Sequence, residues 1–199
     1  MMARLLPEET RELLLDRAEH RFWTFGFKKT TVDEVVADVG ISKGSFYQFF
    51  ESKDDLMLAT IARWYQRIFE EQQSLIKNSQ LPPAEKLRHI LIAPILRTYR
   101  QYEAHPEVQD MIIMAHNALP TTLQSLIQQQ LALVTGVLEE GRKSGHFAFA
   151  DAAHTAQALH HMTHGFWPPY ACVQGTQAIE QALNDVLDLV FQGLAAPAR

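Results

Sequence analysis

The sequence lacks any apolar run approaching the roughly 20 residues that a membrane-spanning helix needs, and its opening residues lack the long apolar stretch of a secretory leader. A cytoplasmic location is therefore expected. Cysteine is nearly absent: Cys172 stands alone, which excludes an intrachain disulfide framework and a cysteine-rich zinc site and leaves a packing role. Positive charge is also short. The formal net charge is -5, and the first 53 residues carry 8 Lys and Arg against 9 Asp and Glu, so composition does not advertise a nucleic-acid partner. Any contact with phosphate must come from a few placed cations, with the acids turned away. No stretch alternates like a half-buried strand, and there is no internal repeat or low-complexity tract. A nucleophile elbow, a phosphate-cradling glycine loop and a His-Glu-x-x-His zinc motif are all missing, which argues against an enzyme and calls for no cofactor and no metal.

What is present is an ordinary folding composition: 199 residues, 47% hydrophobic and 21% charged. Apolar residues recur at spacings of three and four nearly throughout, which predicts an all-α protein. The first helix is expected from about residue 7 to 25, with Leu14, Ala18, Phe22 and Phe25 on one face. Gly26 stops it, and Phe27 can fold back onto it. Thr31 with Glu34 has the pattern of a capping box for a short helix through about Val39, broken by Gly40. Ser42 can cap a third helix of about two turns, with Phe46, Phe49 and Phe50 turned inward and Lys43, Ser45, Tyr47 and Gln48 left outside. Ser52 with Asp55 marks the start of a long helix to about residue 79, and Pro82 and Pro83 punctuate the chain after it. Further helices are expected at about 84–102, 106–118, 121–143, 151–166 and 176–194, with breaks at Pro120, Gly145, Pro168, Pro169 and Gly175.

Two short helices separated by a glycine turn, the second capped by serine and exposing small, polar and aromatic groups, have the dimensions of a DNA-reading helix-turn-helix. An ordinary helical hairpin fits the spacing equally well, and residue identities tip the balance. From Phe22 to Leu56 the sequence carries Gly26-Phe27, Thr30-Thr31-Val32, Val35-Val36-Ala37, Gly40-Ile41-Ser42-Lys43-Gly44-Ser45-Phe46-Tyr47, Phe50, Ser52-Lys53 and Leu56. In this set it closely resembles the N-terminal domain of the tetracycline-repressor (TetR/AcrR) family of bacterial regulators. A weaker pattern of Gly145-His146-Phe147, Asp151 and Ala156 follows. Trp23 and Phe25 are bulkier than that family's pattern near the end of the first helix.

The resemblance implies an N-terminal three-helix helix-turn-helix domain over residues 1–53 and a larger helical ligand-binding and dimerisation domain over 54–199. It implies a ligand-responsive regulator, a repressor, that binds a palindromic double-stranded operator as a homodimer and is released by a small molecule. DNA contacts are then expected at Thr30, Thr31, Ser42, Lys43, Gly44, Ser45, Tyr47, Gln48 and Lys53. Gly44 would let the helix backbone approach base edges, Ser45 would hydrogen-bond a base or phosphate, and Lys43 and Lys53 would neutralise phosphates. The amides at the start of the helix near Lys53 would add a phosphate site, and Thr31's capping duty competes with its role as a contact.

The last two helices would form a four-helix bundle with those of a partner, using Ile179, Leu183, Val186, Leu187, Val190 and Leu194, part of which must also serve the chain's own core. For the small molecule the resemblance points to the large adaptable side chains of the C-terminal region, Tyr65, Phe69, Tyr99, Tyr102, Met111, Met114, His116, Trp167 and Tyr170. His154, His160, His161 and His164 share one expected helix. Their spread over roughly 120° suits a polar or interface face at about 100° per residue. Metal or haem sensing is the sharper alternative. A helical adaptor without DNA binding is another, and the exposed set Lys43, Gly44, Ser45, Tyr47 and Lys53 argues against it.

Overall fold

The structure, a computed structural model, describes residues 6–78, 80–105, 111, 114, 124–167 and 175–195. Among them are eight α-helices: α1 (Pro7–Phe25), α2 (Val32–Val39), α3 (Lys43–Phe46), α4 (Lys53–Asn78), α5 (Pro83–Ala104), α6 (Gln124–Lys143), α7 (Ala152–His164) and α8 (Gly175–Leu194). Of the expected helix at 106–118 only Met111 and Met114 are among the described residues, and the breaks at Pro120, Pro168 and Pro169 lie outside them, as does Cys172. No helix among the described residues is long and apolar enough to cross a membrane. The chain divides into two compact units, residues 1–64 with 105–122 and residues 65–104 with 123–199, and α4 runs from the first into the second.

In the first unit, local chemistry sets each helix boundary. Pro7 occupies the first turn of α1, where a missing N–H costs nothing, and the Glu9 carboxylate accepts the Leu6 N–H at 2.9 Å. Gly26, at φ 88°, ends the helix, and Phe27 returns so that its ring meets Phe22 edge-on at 5.4 Å. Thr31 and Glu34 form the reciprocal box at the start of α2, and Gly40 closes it at φ 80°, ψ 32°. Leu14, Leu15, Ala18, Phe22, Val35, Phe46, Phe50 and Leu56 are buried.

Two ion-pair groups fix α1. Arg21 donates to Asp38 of α2 at 2.5 and 2.9 Å. Arg63 of α4 meets Glu12, Asp16 and Glu19 at 3.0, 2.8 and 2.9 Å. Those three acids fall at spacings of four and three on one face of α1, where without a cation they would repel one another.

The second unit is built on α5, whose Leu87, Ile90 and Ile95 are buried with Val137 and Leu138 of α6, Ala156 and Leu159 of α7, and Ile179, Leu183 and Leu187 of α8. Pro94 lies inside α5 and has no N–H to give the Ile90 carbonyl. Two side chains supply it from outside: the amides of Gln72 on α4 and Gln130 on α6 donate to Ile90 O at 3.1 and 3.3 Å. Lys86, almost wholly buried, is neutralised by Glu140 of α6 at 2.7 and 2.9 Å. At the far end of α5, Glu103 accepts both the N–H and the hydroxyl of Thr176, at 2.6 and 2.7 Å, and so caps α8.

The Gly145-His146-Phe147 segment also has a packing explanation. Gly145 turns the chain at φ 76°, and Phe147 folds back onto Gly141, where an added Cβ would lie 2.2 Å from the Phe147 ring. That ring is buried and stacks on Phe191 at 6.0 Å, so it has little room to move. Gly141→Ala is therefore expected to cost about 1–3 kcal/mol of stability, seen as a lower denaturation midpoint of the second unit. An unchanged midpoint would mean that the ring relocates freely.

Candidate nucleic-acid interface

The reading head is built from α2, the Gly40 turn and α3. Ser42 accepts the Ser45 N–H at 3.1 Å and starts α3. The regular helix is a single turn, shorter than the two turns expected. The chain then tightens into i→i+3 bonds from Gln48 to Ser45 and from Phe49 to Phe46. Phe46 and Phe50 are buried as expected, whereas Phe49 is only half-buried. Tyr47 stands 53% exposed, its ring held edge-on to Phe46 at 5.2 Å. A buried phenylalanine thus orients an exposed tyrosine.

Gly44 lies on the exposed side of α3. A Cβ there would meet nothing closer than Ser42 Oγ, at 3.7 Å, and its φ is not in the left-handed region. Neither packing nor backbone conformation requires a glycine, although glycine weakens a helix by about 1 kcal/mol relative to alanine. Gln48 is exposed beside it.

The cations are less simple than the sequence suggests. Lys43 is exposed and pairs with Asp33 at 3.0 Å; that hydrogen bond holds its pKa above the ordinary lysine value. Lys53 is half-buried. Its ammonium donates to the carbonyls of Phe27 and Thr30, each at 2.9 Å, and lies 4.2 Å from the centre of the Phe27 ring. An ammonium has three protons, so one remains for an outside acceptor.

A DNA contact is implied at Thr30, but the structure turns its side chain inward. Thr30 is 1% exposed, and its hydroxyl donates to Gly26 O at 3.0 Å. Thr31 is exposed, accepts the Glu34 N–H at 3.3 Å and donates to the Glu34 carboxylate at 2.9 Å. The backbone N–H and hydroxyl of Thr31 hold Glu34 below its usual carboxylate range. Near the start of α4, Asp55 accepts the Glu51 N–H and Ser52 accepts the Asp55 N–H, both at 3.0 Å, so two local amides are capped from within the chain. Lys28 and Lys29, absent from the sequence reading, are exposed in the turn before α2. A lysine doublet in a segment otherwise short of cations was the signal.

The acids of this unit are largely occupied by internal pairs. Glu12, Asp16 and Glu19 gather on Arg63, and Glu34 and Asp38 on Arg21. The Arg21 hydrogen bond holds Asp38 below its ordinary value of 3.8. A carboxylate with a lowered folded pKa contributes stability above its unfolded pKa and loses it as pH falls through the folded one. Asp38→Asn should therefore lower stability at neutral pH and flatten the loss of stability below about pH 4. Denaturation midpoints measured between pH 7 and pH 3 test this, and parallel curves for the two proteins would count against it.

Of the residues expected to bind a small molecule, Tyr65, Phe69, Tyr99, Tyr102 and Trp167 belong to the second unit, whereas Met111, buried, and Met114, exposed, belong to the first. His116 and Tyr170 lie outside the described residues. Tyr65 and Trp167 meet edge-on at 5.7 Å. Burial pushes the Tyr65 phenol up to about 12, and its hydroxyl is hydrogen-bonded with Thr98, a residue the sequence reading did not single out. On α8, Ile179, Leu183 and Leu187 are buried in the chain's own core, Val186, Val190 and Leu194 are half-buried, and Leu189 is 69% exposed.

Comparison with known proteins agrees with this geometry. The profile described as bacterial regulatory proteins of the tetR family matches residues 14–60, and one described as a tetracyclin repressor-like C-terminal domain matches residues 83–187. The HTH-type transcriptional repressor BepR of Brucella suis is 27% identical over 203 residues, covering 96% of this chain and 94% of that protein. The repressor NemR of Escherichia coli K12 is 23% identical over 191 residues, covering 92% and 94%. A TetR-family regulator from Pectobacterium atrosepticum superimposes with a TM-score of 0.71 at 20% identity, over 97% of each chain. A transcriptional regulator from Cytophaga hutchinsonii gives 0.72 at 19% identity, over 93% and 98%.

Proposed function

Because this chain belongs to the tetR family of bacterial regulatory proteins, we propose that it is a repressor that binds a palindromic operator as a homodimer and is released by a small molecule. The family is one of transcriptional regulators, not of enzymes. Gly44 is the observation that carries the DNA reading: a glycine that neither the chain's packing nor its backbone needs, on the exposed side of the helix after the glycine turn. It lets that helix approach base edges, with Ser45, Tyr47 and Gln48 reading the groove or contacting phosphate. Ser42 sets the start of the helix. Lys43 reaches phosphate by exchanging Asp33 for it, and Lys53 by its third proton, while Thr31 contacts the backbone and Thr30 supports the turn from inside.

Residues 1–53 form the DNA-binding domain and 54–199 the ligand-binding and dimerisation domain. The effector is a mostly apolar molecule with at least one polar group, suited to Tyr65, Phe69, Tyr99, Tyr102 and Trp167 in the second unit. Dimerisation uses the outer faces of the last two helices, including Val186 and Leu189 of α8, since Ile179, Leu183 and Leu187 are buried in the core and Val190 and Leu194 pack against it. The setting is cytoplasmic.

The test is a titration of purified protein against the DNA just upstream of its own coding region and against a random-sequence pool, at two salt concentrations with scrambled competitor. Saturable binding that survives competitor, at two or more protomers per site, is the expected result. Failure against both DNAs at every salt would overturn the reading.

A further inference from the structure

Four of the chain's nine histidines lie on the 13 residues of α7. The buried stripe of that helix is Ala152, Ala156, Leu159 and Thr163, and the four imidazoles lie off it. His154, His161 and His164 are exposed and His160 is half-buried. His160 and His164 sit one turn apart, with ring centres 6.5 Å apart and planes inclined at 40°, and the ring of His161 lies 6.0 Å from that of His160.

We propose that His160 and His164 form a two-imidazole binding site for a late first-row divalent transition ion, Zn2+, Ni2+ or Cu2+. The helix supplies the preorganisation, because residues four apart lie over one another on one face. A tetrahedral ion with metal–nitrogen bonds of about 2.0–2.1 Å brings two radially bound imidazole centres to roughly 5 Å. Closing from 6.5 Å asks for a movement of about 1.5 Å, within the reach of side-chain rotation for one exposed and one half-buried ring. A ligand imidazole must be neutral.

The donor set selects the class of ion. Imidazole suits zinc, copper and nickel, whereas magnesium and calcium require oxygen ligands. Among the described residues no group of three or more His, Cys, Asp or Glu side chains could hold a metal ion, so water completes the coordination. Such a site binds reversibly instead of serving as a structural centre, and an ion in it clips the last turn of α7.

The site is tested without DNA. Tag-free protein, stripped with chelator, is titrated calorimetrically with Zn2+ and with Ni2+, alongside His160→Gln, His164→Gln, His154→Gln and His161→Gln. One ion per chain is expected, with affinity lowered tenfold or more by either of the first two changes and little altered by the last two. Melting of wild-type protein should rise with metal and return on chelation, while all five proteins melt alike in chelator. Absence of binding by the wild type, binding retained in the His160→Gln/His164→Gln double variant, or equal weakening by all four changes would each overturn the assignment.

Discussion

Replacing Gly44 by alanine is expected to weaken operator binding at least tenfold while leaving the protein as stable as before or slightly more so. The two effects have opposite signs for one reason. A methyl group at Gly44 meets only Ser42 Oγ, at 3.7 Å, so the folded chain accepts it, and alanine regains up to about 1 kcal/mol of helix propensity, less in a helix of one turn. The same methyl group stands between the helix backbone and the base edges, where a lost direct contact costs about 1–3 kcal/mol. Gly44→Leu should abolish specific binding outright.

Tyr47→Ala belongs to the same experiment. Its ring is mostly exposed and touches the core only through Phe46, so specific binding should fall with little change in melting or dimerisation. Gel-shift titrations on the selected operator, paired with thermal melts, decide both. Full-strength binding by Gly44→Leu would remove α3 from the DNA interface, and a monomeric or unfolded Tyr47→Ala would contradict the placement of its ring.

The second large effect is expected at Arg63. Its side chain is 16% exposed and answers three carboxylates of α1, of which Glu19 is the best shielded. Arg63→Met keeps much of the apolar stem and removes the charge, leaving Glu12, Asp16 and Glu19 to repel one another. Hydrogen bonds to charged groups contribute about 1.5–3 kcal/mol each. Solvent around Glu12 and Asp16 screens their share, so a net loss of about 2 kcal/mol is the expectation. It should appear as loosened attachment of α1 to α4, read as faster amide exchange in α1, and as weaker DNA binding because the reading head rests on α1.

Charge restoration separates the ionic role from the space-filling one. Glu19→Gln in the Arg63→Met background should recover part of the loss by relieving the repulsion. No recovery in that double variant, or a stability loss below about 0.5 kcal/mol in Arg63→Met itself, a size typical of ordinary surface changes, would show that the cluster is merely a surface arrangement.

The positions most legible in the sequence are those whose partners are close in the chain. Thr31 with Glu34, Gly40, Ser42 with Ser45, and Ser52 with Asp55 lie within four residues of what they bond, so the punctuation of the reading head could be read before any fold was known. The glycine turn between α2 and α3 and the exposed set around Gly44 and Tyr47 followed from the same local rules. The length of α3 was overestimated, because a serine cap announces where a helix starts and nothing nearby announced the early tightening after Phe46.

By itself, then, the sequence determined the all-α class, the starts of α1 to α4 with the stops at Gly26 and Gly40, and the family resemblance, since caps, glycines and apolar periodicity act over one or two turns. Tertiary structure alone decided the rest. Gln72 and Gln130 reach the carbonyl that Pro94 leaves without a donor from 18 and 40 residues away, and Arg63 finds its acids 44 and 51 residues back. Lys53 is turned toward two backbone carbonyls and Thr30 away from solvent. Gly141 is required by the ring of Phe147, and Tyr65 is joined to Trp167 and Thr98. Each of these depends on which surfaces are buried against each other, and a buried polar group must take whatever partner the packing brings within reach.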